Sequence, residues 1–423
     1  MAEEDFDAIV VGAGPAGSAC AYTLAKAGKN VLLLERGDSA GAKNVSGGRL
    51  YAYGLDLVDP ELAQRAPLQR RIVREQIMLL SGQSATTVDY AEYGKAADAP
   101  RSYSVIRATL DEWFAGEAEA QGATFAAGMR VDSLLEENGR IVGIKVGDDE
   151  MRAGMVVAAD GVNSLIGQQA GLFPEVKAHA VGVGVKETIE LPAAVINQRF
   201  GVKDGEGAAR VAIGCTEGIS GGGFLYTNQD SISLGIVFNP EQAAANGRQI
   251  QEIFQDFKLH PAIAGLIEGG TSVEYGAHLV PEIGLHGVPQ RLSREGLLVA
   301  GDAAQFGINT GMIIRGMDLA MVSGLAAARA ILAGGETGAA YQAQLEELSL
   351  LPNLRAYAEF HGIFGINRIF KEYPDLANQV LGFLFNVDGQ VPPPMVKQML
   401  AMVKSKVSFT QLAKDAWKGY RSV

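Results

Sequence analysis

Cysteine is nearly absent from this 423-residue chain, with Cys20 and Cys215 the only two. A disulfide framework, a CxxC redox pair and an iron–sulfur cluster held by four local thiolates are therefore all excluded. Cys20 lies in an apolar helical stretch and reads as a small core residue; Cys215 follows a strand-like run and reads as core or as part of a site. The five histidines show no ligand spacing, so no metal site is expected. Basic residues are outnumbered, 36 Lys and Arg against 48 Asp and Glu, and the net charge of −12 argues against nucleic acid as a partner. Long apolar runs are missing too. None approaches the roughly eighteen residues a spanning helix requires, and the richest stretch, 311–333, is interrupted by Arg315, Asp318 and Arg329. The opening Met1-Ala2-Glu3-Glu4-Asp5 has neither a basic segment nor an apolar one. No secretory or transit signal is read there, and a cytoplasmic location is expected.

Glycine, by contrast, is abundant, with 53 residues. A chain of this length is expected to form two domains or a discontinuous pair. The first glycine cluster has a telling context. Asp7-Ala8-Ile9-Val10-Val11 is a short apolar strand, Gly12-Ala13-Gly14-Pro15-Ala16-Gly17 follows at once, and Ser18 to Ala27 reads as a helix ending at Gly28. In this strand–turn–helix pattern Gly12 permits the turn, Gly14 lets backbone approach a diphosphate, and Gly17 lets the helix seat on the sheet. The diphosphate rests on the helix N-terminus beside Pro15 and Ala16. A second strand, Asn30 to Leu34, delivers Glu35 to accept from an adenosine ribose. Glu35 would repel a 2′-phosphate, although Arg36 beside it weakens that exclusion.

Farther along, strand-like runs at 76–80 and 85–90 precede a helix opening at Arg107 and ending at Gly122. A hairpin is expected from Met129–Leu135 and Ile141–Val146 about an Asn138-Gly139 turn. Met155 to Ala159 is a buried-strand run ending at Asp160-Gly161. Between His179 and Glu282 the pattern is mostly antiparallel strands with one helix near 249–257, and 311–332 reads as a long helix. A second signature sits at Leu297-Leu298-Val299-Ala300-Gly301-Asp302, an apolar run ending in Gly-Asp. With the first signature it indicates FAD.

The order of these motifs, namely GxGxxG with Glu35, Arg107-x-x-Leu110, Asp160-Gly161-x-x-Ser164 and Gly301-Asp302, resembles the flavoprotein group of aromatic hydroxylases, geranylgeranyl reductases and electron-transfer-flavoprotein dehydrogenases. Gly41 to Tyr51, Gly221-Gly222-Gly223-Phe224-Leu225-Tyr226 and Ile314-Arg315-Gly316-Met317-Asp318 resemble the FixC-type members, related to electron-transfer-flavoprotein:quinone oxidoreductase. The resemblance covers most of the chain. It implies an α/β fold: an FAD-binding Rossmann-like domain of the glutathione-reductase and aromatic-hydroxylase type, an inserted antiparallel β domain for substrate, and a helical C-terminal region. FAD-binding parts are expected at 1–69, 105–178 and 291–335, substrate or quinone parts at 70–104 and 179–290, and the helical region at 336–423.

The resemblance also implies site roles. Asp302 would accept from ribityl hydroxyls and Gly301 would give the backbone room; Arg107 would hold the phosphate or ribityl region, or else be an exposed residue at a helix start. Asp160-Gly161 would shape a turn beside the cofactor, or be a simple β-turn. Ser46-Gly47-Gly48 and Gly311-Met312-Ile313 would line the isoalloxazine, or punctuate loops; Lys43 and Val131 complete the expected cofactor set. No acid–base catalytic residue is implied. One position departs from the family pattern, since Gln305 stands where many members carry glycine after Gly-Asp-Ala-Ala.

The implied function is electron transfer from a two-subunit electron-transfer flavoprotein to a membrane quinone. With no thiolates for a cluster of its own, the chain would work with a separate ferredoxin-like iron–sulfur subunit. Apolar residues in 360–385, followed by Lys397, Lys404, Lys406, Lys414, Lys418 and Arg421 against Asp415 alone, suit peripheral contact at the inner face of the cytoplasmic membrane, or equally core packing and an acidic partner. An isoprenoid-lipid (geranylgeranyl) reductase and an NAD(P)H-dependent aromatic hydroxylase are the alternatives of the same fold.

Overall fold

The computed structural model describes residues 5–44, 47–92 and 101–422. Two sheets organise it. The first runs Ser293–Arg294, Leu297–Val299, Asp149–Ala158, Phe6–Val11, Val31–Leu34, Thr124–Ala126. Its five strands from Leu297–Val299 to Thr124–Ala126 pair in parallel. The fully buried runs Ile9-Val10 and Val31 to Leu34 explain this, because parallel strands covered on both faces need unbroken apolar sequence.

Chain order reverses direction at Phe6–Val11, which has Val31–Leu34 on one side and Asp149–Ala158 on the other. Such a switch point opens a crevice beyond the carboxyl ends of the strands. Gly12, Glu35, Ala159-Asp160 and Ala300-Gly301-Asp302 all lie just past those ends. The helix Pro15–Lys26 packs on this sheet and against Met317–Ala333. Small residues make the approach close: a Cβ on Gly324 would come 2.0 Å from the Ala16 carbonyl oxygen.

The second sheet runs Thr271–Pro281, Val181–Glu190, Ser231–Phe238, Gly221–Thr227, Glu206–Ile213, Arg71–Ser81, Ser102–Val105, Gly48–Tyr51, with Ser84–Ala91 paired to Arg71–Ser81. It is antiparallel except where Glu206–Ile213 meets Arg71–Ser81. A separate apolar core, including Leu225, Ile232, Leu234, Phe254 and Phe257, backs it. Cys215 packs against that core, and Cys20 is fully buried in the other.

Several elements differ from the sequence expectation. The first helix starts at Pro15 rather than Ser18, since proline is favoured at a first helical position. The Asn138-Gly139 turn forms, both residues at positive φ (50° and 84°), but its first strand begins at Ser133. Residues before it lie along the parallel sheet instead, with the Met129 amide donating to the Glu35 carbonyl. Helices at Ala193–Phe200, Pro240–Asn246 and Pro261–Ile267 join the one at Ile250–Leu259. The long helix begins at Met317. Residues before it form a ribbon, Ile308–Asn309 against Ile314–Arg315, turned by Gly311 at φ +78°. In the C-terminal region 360–370 is two short 3₁₀ segments, followed by helices Glu372–Phe385, Met395–Lys406 and Phe409–Arg421.

Candidate cofactor site

A cavity of about 560 Å³ lies between the two sheets, at the crevice. Its floor is the glycine-rich turn. Gly12 holds φ +103°, and a Cβ there would lie 2.3 Å from the Ala159 carbonyl oxygen; one on Gly17 would lie 1.8 Å from the Gly12 carbonyl oxygen. Both glycines are required by the protein's own packing. Gly14 is different: no protein atom lies within 4 Å of where its Cβ would stand, and it lines the cavity. The space a side chain would fill is left for a ligand beside the amides opening helix Pro15–Lys26, an anion-binding position.

Glu35 lines the cavity, its Oε2 accepting from the Ala13 amide (3.2 Å) and its Oε1 from the Gly37 amide (2.7 Å). Arg36, Lys43 and Val131 line the same cavity. Arg107 donates from Nε and Nη2 to Asp111 at 3.0 and 2.7 Å, and Asp111 also accepts from Asn44 at 2.8 Å. Burial works against the Arg107 charge and Asp111 outweighs it, so the guanidinium ends above its ordinary value.

Two acids face the crevice with unmet hydrogen-bonding capacity. Burial raises Asp302 to about 6 against the pull of Arg107, and no donor among the described residues bonds its carboxylate. Asp160 accepts from the Ile166 amide at 2.9 Å through Oδ2, while its buried Oδ1 has no partner. Burial also raises Asp160. A buried acceptor left open at a cavity wall suits a hydroxyl-rich ligand. Ribityl and ribose hydroxyls beside Asp302 and Glu35, and a diphosphate at Gly14, fit these groups.

Three sequence profiles match the chain: an FAD binding domain over residues 5–200, the ubiquinone-binding region of ETF-QO over 181–280, and the ETF-QO/FixC family C-terminal domain over 360–423. "Protein FixC" of Escherichia coli (strain K12) is 44% identical over 427 residues, 99% of both chains. "Probable electron transfer flavoprotein-quinone oxidoreductase YdiS" of the same organism is 42% identical over 429 residues, again 99% of both. The chain belongs to the ETF-QO/FixC family. It is an FAD-dependent oxidoreductase. Among solved structures, a geranylgeranyl bacteriochlorophyll reductase-like protein from Thermoplasma acidophilum is 20% identical with a TM-score of 0.71, over 97% of this chain and 98% of that one. The flavin-dependent brominase Bmp2 is 16% identical with a TM-score of 0.64, over 95% and 100%. These two share the fold.

Of the residues marked in the sequence, Gly12, Gly14, Pro15, Ala16, Glu35, Arg36, Lys43, Gly47, Gly48, Arg107, Val131, Asp160, Gly161 and Asp302 line the one cavity. Gly17 and Gly301 stand behind it in packing positions, a Gly301 Cβ meeting that of Ala16 at 2.8 Å. Ser46 lies outside the described residues. Gly311, Met312 and Ile313 do not line this cavity. The ribbon carries them to its outer turn, where Gly311 abuts Phe364 and Met312 is half exposed, and leaves Ile314 to Met317 on the cavity wall.

Met312 and Ile313 instead line a second cavity of about 350 Å³ with Tyr51, Ile77, Ala209 and Val211. Arg49, Tyr226 and Ile314 line both, so the two spaces share a wall. Arg49 Nη1 donates to Glu75 at 2.9 Å. The expected departure at Gln305 also has a structural answer. Gln305 adopts φ +59°, the left-handed conformation that glycine would take, and its side chain reaches the Val162 carbonyl. Sequence reasoning missed Asp111, Lys186 and His278. The last two come from neighbouring strands of the second sheet, Lys186 with a donated bond to the Gly47 carbonyl at 3.1 Å. A lysine directly after the apolar run Val181 to Val185 is the signal that was available.

Proposed function

We propose that the chain passes electrons from a two-subunit electron-transfer flavoprotein to a membrane quinone. The observation that carries this reading is the second cavity, which shares Arg49, Tyr226 and Ile314 with the FAD cavity and is lined largely by apolar side chains. Its strands Glu206–Ile213 and Gly221–Thr227 fall within the residues matched by the ubiquinone-binding profile. A planar, weakly polar acceptor suits such a space, with the Tyr226 hydroxyl available to its oxygens and Arg49 held beside it by Glu75 and Ser102. The YdiS name supports the donor and acceptor classes.

FAD supplies the chemistry, accepting and returning electrons singly or in pairs. Protein groups hold it: the Gly12–Gly17 turn the diphosphate, Glu35 the adenosine ribose, Asp302 the ribityl chain, Arg107 the phosphate or ribityl region, and Gly47-Gly48 the ring edge. A separate ferredoxin-like subunit supplies the iron–sulfur relay. Both thiols of this chain are pushed by burial to about 12, and they lie in different cores.

The protein rests on the inner face of the cytoplasmic membrane through its C-terminal helices. No helix among the described residues is long and apolar enough to cross a membrane. Yet Phe385, Val387, Val391, Val396, Trp417 and Tyr420 are well exposed, and Lys397, Lys404, Lys414 and Arg421 accompany them. Apolar side chains beside basic ones suit an anionic lipid surface. Affinity capture of the tagged full chain from solubilised membranes, followed by mass spectrometry, tests the assembly. Recovery of both flavoprotein subunits and a ferredoxin-like chain is expected; a lone monomer that saturates geranylgeranyl lipid would overturn the reading in favour of a reductase.

A further inference from the structure

The strand Val181–Glu190 places two ionisable residues side by side, and alternation sends them to opposite faces of the sheet. Glu187 is paired, accepting from Lys258 Nζ at 2.6 and 2.9 Å. Lys186 forms no ion pair among the described residues. Its Nζ donates to the Gly47 carbonyl at 3.1 Å and stands 5.8 Å from the centre of the Phe224 ring. Glu274 attracts it from farther off, and Arg107 repels it.

Two other basic groups act on or respond to Lys186 here, Arg107 and His278. Arg107 is neutralised by Asp111 at 2.7 Å. His278 is lowered to about 4, by burial first and then by Arg107, Lys186 and Arg36, so it is uncharged at neutral pH. Lys186 is lowered to about 8, chiefly by burial, and stays mostly protonated. A cation half-buried in a cavity wall without a paired counter-ion is costly unless something in the site answers it. FAD brings two candidates: its diphosphate, and the ring, which gathers negative charge on reduction. The Gly12–Gly17 turn serves the diphosphate from the first sheet. Lys186 comes from the second sheet and is anchored on Gly47, beside the Gly48 and Met317 wall.

We propose that Lys186 is the cation that stabilises the reduced flavin ring, raising the potential at which this protein accepts electrons. This rests on FAD occupying the large cavity. Uptake of two electrons and one proton leaves one net negative charge on the ring, and Lys186 answers it while keeping all its own protons. The electrons come from the flavoprotein donor in the cell and from a reduced dye in the test.

The test is a spectroelectrochemical titration of full-length, FAD-loaded protein carrying Lys186→Met or Lys186→Arg, with FAD retention measured in parallel. For Lys186→Met the reduction equilibrium is expected to move about tenfold toward the oxidised form, about 30 mV for two electrons, with FAD retention nearly unchanged. Lys186→Arg is expected to keep the wild-type potential. An unchanged potential in Lys186→Met overturns the proposal, and if FAD is also held more weakly it assigns the cation to the diphosphate. Should the Met variant fail to accumulate, Lys186→Gln gives the same reading, since it keeps a donor for Gly47. The titration uses neither quinone nor flavoprotein donor. A wild-type protein without a flavin spectrum would instead defeat the underlying cofactor assignment.

Discussion

The Gln305 side chain donates from Nε2 to the Val162 carbonyl at 2.8 Å, tying the turn after Leu297–Val299 to the turn after Asp149–Ala158. Both turns carry acids that line the large cavity, Asp302 on one and Asp160 on the other. Replacing Gln305 with Gly loses one buried hydrogen bond, about 1 kcal/mol, and relieves a left-handed backbone at a similar gain of about 1 kcal/mol. Gln305→Ala loses the bond and keeps the strain. We expect the Gly variant to unfold near the wild-type temperature and the Ala variant to lose about 1–2 kcal/mol, read by thermal unfolding. An Ala variant at least as stable as the Gly one would contradict this.

Gly14 separates cofactor binding from folding. Its φ of −79° is open to any residue, and a Cβ there meets no protein atom. Gly14→Ala should leave apoprotein stability intact while weakening FAD binding about tenfold to hundredfold, or about 1.4–2.8 kcal/mol. Gly12→Ala should damage the apoprotein itself, because the Ala159 backbone stands in the way. Fluorescence titration with FAD beside denaturant unfolding distinguishes the two.

Asp111 is almost fully buried and holds both Arg107 and Asn44. Removing it strands the Arg107 charge, so Asp111→Ala should cost about 3–5 kcal/mol. Replacing both partners with apolar residues of similar volume should cost less, although FAD binding would still suffer. Urea unfolding of the single and double variants measures the difference.

Glu282 gives a pH signature. Burial raises its carboxyl from 4.5 to about 7, with Asn309 Nδ2 3.5 Å from Oε1. The folded protein therefore binds this proton more tightly than the unfolded chain. The contribution is complete below about pH 4.5 and is lost as pH rises through about 7. Glu282→Gln should remove that part of the decline, seen as a flatter stability curve across this window. Parallel curves for the two proteins would contradict the assignment.

Local patterns carried much of this architecture. The buried runs at Phe6–Val11 and Val31–Leu34, the glycines between them and the Asn138-Gly139 turn are all written in consecutive residues. The convergence of Glu35, Asp160 and Asp302 could be read because each follows a strand, and parallel strands present their carboxyl ends together. What stayed hidden depends on pairing at a distance. His278 reaches the cavity only because Thr271–Pro281 pairs with Val181–Glu190, a register no local pattern encodes. Asp111 looked like one more acidic residue on a helix, since its burial depends on what packs there. The ribbon before Met317 was concealed by its apolar sequence, Met312-Ile313-Ile314, which only Arg315 and Gly316 separate from the helix.

Electron relay between a flavoprotein donor and a quinone is the activity proposed for this chain. Anaerobic rapid mixing of the FAD-loaded protein and the proposed iron–sulfur partner with reduced electron-transfer flavoprotein, followed by a water-soluble quinone analogue, is the decisive measurement. Bleaching of the flavin absorbance is expected on the first mixing and its return on the second, with Tyr226→Leu slowing only the return. A flavin that stays oxidised with the donor but bleaches rapidly with NADPH and an aromatic effector would contradict it.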